Sequence, residues 1–166
     1  MTDYDVHSAL VRWLADLSGA MVIKTHQGGE APSVPYIAVN MTGTVQLHDH
    51  PWDIEFTPDR EDEDTAQDVR GIPVIEVEWR FSCHAYGPNP TDLLRPIRSA
   101  VQLPQRQEPL HPHLTIHEVS QIRNVPDWLN NAWEPRAQMD IYVRGLTRDG
   151  LVIDVIDEAP VTVTPS

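Results

Sequence analysis

Alternation of apolar and polar residues is the strongest signal in this chain. Ile75, Val77, Trp79, Phe81, Cys83 and Ala85 are all apolar, while Glu76, Glu78, Arg80, Ser82 and His84 fill the positions between them. Side chains on a strand alternate faces with a period of two, so Ile72 to Tyr86 predicts one long strand, with one face on a core and the other toward water or a partner. Tyr36 to Leu47 repeats the pattern, with Ile37, Val39, Met41, Val45 and Leu47 assigned to one face and Asn40, Thr42, Thr44 and Gln46 to the other. Gln138 to Leu146 alternates again, Met139, Ile141 and Val143 against Asp140, Tyr142 and Arg144. Met21 to Thr25 reads as a short strand and Leu114 to Ile122 as a mixed one. Arg148-Asp149-Gly150 is a turn of the Asp-Gly type, expected to close a hairpin onto a last strand, Leu151 to Ile156.

A different period marks the helices. Val6, Leu10, Trp13, Leu14 and Leu17 recur at helical spacing between Tyr4 and Leu17, with Asp3 as candidate N-cap and Gly19 as the stop. Leu93, Leu94, Ile97 and Val101 predict a second helix capped by Asn89 or Thr91, which Pro96 should kink or shorten. Val125-Pro126-Asp127-Trp128 reads as a turn, with Trp128 and Trp133 packed around it or in the core, and an interface role for the two as the alternative. Two helices and long strands without strict βαβ order imply an α+β fold: a mostly antiparallel sheet with both helices on one face. Residues 1–166 form one domain. It carries a long β-hairpin, an acidic flexible loop over 58–70 and an extended C-terminal arm over 157–166.

Composition narrows the function. The net charge of −13 argues against ordinary nucleic-acid binding, which needs cations to neutralise phosphates. Lys24 is the lone lysine among 12 cations, a bias that a GC-rich genome explains as well as arginine-rich interfaces do. The lone cysteine, Cys83, cannot form an internal disulfide and falls on the apolar face of the long strand, as a buried hydrophobe would. No stretch approaches the roughly 20 apolar residues that span a bilayer, and the N-terminus lacks a signal peptide's basic start, so a soluble, intracellular, membrane-free product is expected.

Eight histidines raise the question of a metal. His48 and His50 flank Asp49, and His111, His113 and His117 lie close in sequence; residues two apart on a strand share a face and can chelate. Each set also sits beside a proline at a strand end, where exposed histidines are common, and neither shows a complete ligand set. No metal or other cofactor is therefore expected, with a histidine-based metal protein or small metalloenzyme as the alternative. Phosphate loops, GxGxxG, HExxH and GxSxG are all missing, so no catalytic residue is assigned.

The order of these elements resembles the bacteriophage neck or tail terminator proteins of long-tailed phages. The resemblance rests on the first helix, Pro35-Tyr36-Ile37 at a strand head, the acidic hairpin, the helix near Asp92-Leu93-Leu94 and the strand through Ile116 and Val119. Its most specific part is the tract Trp133-Glu134-Pro135-Arg136-Ala137-Gln138-Met139-Asp140-Ile141. It implies a non-enzymatic virion protein, assembled in the host cytoplasm as a homo-oligomer, in all expectation a hexameric ring. Such a ring caps the tail tube protein, stops its polymerisation, joins a head-completion or connector protein, and lets DNA through without specific binding. Another head–tail connector or tail-completion protein would share this plan. Candidate lumen or interface residues are Asp59, Glu61, Asp62, Glu63 and Asp64 in the acidic run, Glu76, Glu78 and Arg80 on the long strand, and Glu134 and Arg136, which are spaced to share a strand face and pair.

Overall fold

The computed structural model describes residues 1–25, 28, 31–58, 68–129 and 131–154. The acidic residues Asp59 to Asp64 and the arm from Asp157 lie outside them. Helix α1 (Asp3–Ser18) starts from a capping box in which the Thr2 hydroxyl accepts from the Asp5 amide and the Asp5 carboxylate accepts from the Thr2 amide. Thr2 therefore takes the cap position expected for Asp3. Gly19 ends the helix at φ 64°, a left-handed conformation that glycine adopts without a Cβ penalty. Helix α2 (Pro90–Ala100) runs through Pro96, which sits on its exposed side and does not end it. A third, short helix α3 (Pro104–Gln107) and a 3-10 turn (Glu108–Leu110) follow.

The strands are β1 (Met21–Lys24), β2 (Tyr36–Gln46), β3 (Asp53–Pro58), β4 (Asp68–Tyr86), β5 (Leu114–Val119), β6 (Arg123–Asn124), β7 (Asp127–Leu129), β8 (Ala132–Glu134), β9 (Arg136–Arg148) and β10 (Leu151–Asp154). The main sheet runs β1-β2-β4-β9-β5, with β3 and β10 added along β4 and β6 along β9, while β7 and β8 form a separate ribbon. Only β1 and β2 pair in parallel among these strands. The expected α+β fold with a mostly antiparallel sheet is thus what the chain adopts.

From Trp79 onward the odd positions of β4 pack as the alternation requires. Trp79, Phe81, Cys83 and Ala85 are fully buried with Ile37 and Val39 from β2, Met139 and Ile141 from β9, and Val6, Leu10, Trp13, Leu14, Leu94 and Ile97 from the helices. Buried apolar surface contributes roughly 25 cal/mol per Å², so this one layer is the main source of stability. The indole N–H of Trp79 donates to Asp3 Oδ1 at 2.7 Å, and that of Trp13 donates to the Arg106 carbonyl at 2.6 Å, so both buried rings are satisfied.

Three expectations change. First, the β2 register shifts between Met41 and Gly43, so that Thr44 faces Trp79 and Val45 faces Glu78. One inserted residue turns every later side chain over, which puts Val45 on the polar side, away from Ile37 and Val39. Second, β10 does not fold back on β9 as a hairpin. Both pair with β4, β9 over Val74–Tyr86 and β10 over Asp68–Gly71, so Asp149-Gly150 interrupts a single line of strand. Third, the segment read as a turn at Val125–Trp128 leads into the β7–β8 ribbon, in which Trp128 is paired with Trp133.

On its other side, β4 is flanked by β2 and then, after residues 47–52, by β3, whose pairing begins at Asp53 opposite Val74. β3 along Val69–Val74 and β10 along Asp68–Gly71 therefore make a three-stranded arm at this end of β4. The helices lie over the opposite half.

Candidate assembly interface

The polar face of the sheet is an organised network of ion pairs and hydrogen bonds. Glu78 is 7% exposed, and its carboxylate accepts from Arg80 Nε at 3.4 Å and from Arg144 Nε at 3.2 Å. It is therefore not the solvent-facing residue that the alternation suggests: the two long arginine side chains lie over it, and Arg80 extends toward the Tyr142 ring. Glu76 is half-buried and meets His48 Nε2 at 3.1 Å. Farther along, Asp140 accepts from the Ser82 hydroxyl at 2.8 Å and from Arg123 at 2.7 Å, while Gln138 donates to Ser82 at 2.7 Å.

Beside this group, His84 Nδ1 is buried without a hydrogen-bond partner among the described residues. Burial, followed by the neighbouring Arg136, holds the His84 imidazole below its ordinary pKa, against the opposing pull of Asp140 and Asp127. On the core side, burial pushes the Cys83 thiol far up, so it stays protonated.

Arg136 bonds to Asp127 and to the Val125 carbonyl, not to Glu134 as the spacing suggests. Glu134 belongs to β8 and Arg136 opens β9, with Pro135 between them, so the two do not lie on one strand. Arg136 instead ties the β7–β8 ribbon to the sheet.

Among the exposed apolar side chains, two groups lie at the two ends of β4. At the arm end, Phe56 and Leu151 both stand opposite Gly71, and a Cβ on Gly71 would meet Ile153 at 3.3 Å and Phe56 at 3.7 Å. Gly71 is eight residues before Trp79 on a strand without a register shift, so this is the core face continued past the helices. Ile54, Phe56, Leu151 and Ile153 are 48%, 62%, 69% and 41% exposed there. At the other end, Trp128 and Trp133 pack edge to face at 5.2 Å and remain 56% and 66% exposed, so neither belongs to the core. Trp133 borders an open cleft of about 510 Å³ with Val34, Gly87, Pro88 and Pro135. Ile54 and Phe56 lie in the short strand β3, between Pro51 and the acidic run, too brief a stretch for alternation to mark as a strand.

The candidate metal histidines do not converge. His48 pairs with Glu76, His50 lies in the adjoining exposed loop, and His111, His113 and His117 are exposed around the start of β5. Among the described residues, no group of three or more His, Cys, Asp or Glu is placed to hold a metal ion. No described helix is long and apolar enough to cross a membrane.

In comparison with known proteins, the sequence model of a family described as phage neck terminator protein matches residues 4–166, nearly the whole chain. No curated protein matches it.

Proposed function

Because the chain belongs to the phage neck terminator protein family, we propose that it is a structural subunit of the virion neck. In this reading it forms a closed ring, expected to be a hexamer, that stops tail-tube polymerisation and joins the tube to a head-completion or connector protein. The family match carries the reading. The apolar surface at both ends of β4 supports it, since a ring of identical copies needs two different patches on each copy. The charge of −13 suits a passage for DNA, because carboxylates near a lumen repel phosphate and leave it free to slide. Asp59, Glu61, Asp62, Glu63 and Asp64 remain candidates for such a lumen or for a basic neighbour. Glu76, Glu78, Arg80, Glu134 and Arg136 are candidates for its wall. Tail-tube protein polymerised with and without this protein tests the reading by electron microscopy. Tubes should stop with a ring at one end when it is present and run on when it is absent; tubes of equal, uncapped length in both samples would rule out termination.

A further inference from the structure

The two apolar ends of β4 differ in shape: one is a flat three-stranded face, the other an aromatic ribbon beside a cleft. A strand of 19 residues spans about 60 Å at roughly 3.3 Å per residue, so one copy cannot cover its own far end. We infer that the arm of one copy, through Ile54, Phe56, Leu151 and Ile153, docks on the ribbon and cleft of the next, through Trp128, Trp133, Val34 and Pro88. This contact deepens the ring reading and rests on it.

Area decides for a second copy. With large side chains carrying on the order of 200 Å² each, these exposures correspond to about 440 Å² of apolar surface on the arm and about 350 Å² on the ribbon and cleft. A standard interface buries about 800 Å² per partner, a little over half of it apolar, or about 450 Å². The two patches therefore match each other and approach what one stable contact needs. A single kind of contact between copies covers both, and because the patches differ it is head-to-tail, closing into a ring when the rotation allows. Copies that each carry −13 repel one another, so an apolar contact between them should tighten as salt screens that repulsion.

Cross-linking tests this directly, because Cys83 is buried and leaves introduced cysteines as the reactive ones. Phe56→Cys protein mixed with Trp133→Cys protein should give cross-linked pairs with a short bis-maleimide, neither should cross-link alone, and the double variant should give a ladder ending at the ring. In parallel, Phe56→Ser with Leu151→Ser should weaken self-association at least tenfold with unchanged circular dichroism. Rings that form by microscopy without the mixed cross-link, or that tolerate the serine variant, would overturn the contact and leave the ring standing. Serine-variant rings that assemble normally but fail to bind tubes would overturn it in favour of another virion protein on the arm. Protein that stays monomeric at high concentration, in high salt and with tail tubes present would overturn both the contact and the ring.

Discussion

The Asp3 carboxylate shows how a residue's sequence position can point to one role while its fold assigns another. Read along the chain it is a helix cap; in three dimensions Thr2 caps α1 and Asp3 accepts the indole N–H of the fully buried Trp79. Asp3→Ala should therefore destabilise the protein by about 1–3 kcal/mol, the cost of leaving a buried donor unsatisfied. Urea unfolding measures this, and an unchanged midpoint would mean that water replaces the carboxylate. His84 makes a prediction of the opposite kind. Its pKa is lowered by burial from an ordinary 6.5, so below about pH 6.5 the unfolded chain takes up a proton that the folded chain refuses. Its contribution to stability should fall as pH drops through that window toward the folded pKa and be flat above it. Stability measured from pH 8 down to pH 5 should fall less in His84→Asn than in the natural chain, and parallel curves would exclude this residue as a source.

At the scale of elements, the even spacing of apolar residues located every long strand but not the places where strands break or turn over. The residue inserted after Met41 moves Val45 to the polar side, and nothing in the alternation of Val39, Met41 and Val45 marks it. Asp149-Gly150 carries the chemistry of a tight turn, yet β10 continues along β4 because Leu151 to Asp154 finds free backbone partners there at Asp68 to Gly71. Gly145 is a further case. A Cβ at this position would come within 2.6 Å of the His113 carbonyl and 2.9 Å of Leu114, so glycine is what lets β5 lie against β9. Gly145→Ala should cost about 1–3 kcal/mol through overpacking, read from the denaturant midpoint. A neutral result would mean that β5 shifts outward at little cost.

For the whole molecule, the buried core and the surface proposed for assembly separate spatially. The helices cover the half of β4 that contains Trp79 to Ala85, and the arm extends the same face with nothing described packed on it. Substitutions on the arm should therefore alter association more than folding. Glu78 differs among the wall candidates: reversing its charge would leave Arg80 and Arg144 facing a third cation in a nearly buried position, and would disturb the fold together with any contact it makes.

The sequence by itself determined the α+β class, the long strands, both main helices and the buried state of Cys83, because each follows from the period of apolar residues along one segment. It also carried the family, through the order of its elements and the tract from Trp133 to Ile141. Only the tertiary structure decided which strand neighbours which, that Glu78 is covered and Arg136 tied to Asp127, and that the core face of β4 outruns its helices. Those depend on what lies across from a residue, sometimes more than 60 positions away, and a local period holds no information about that distance.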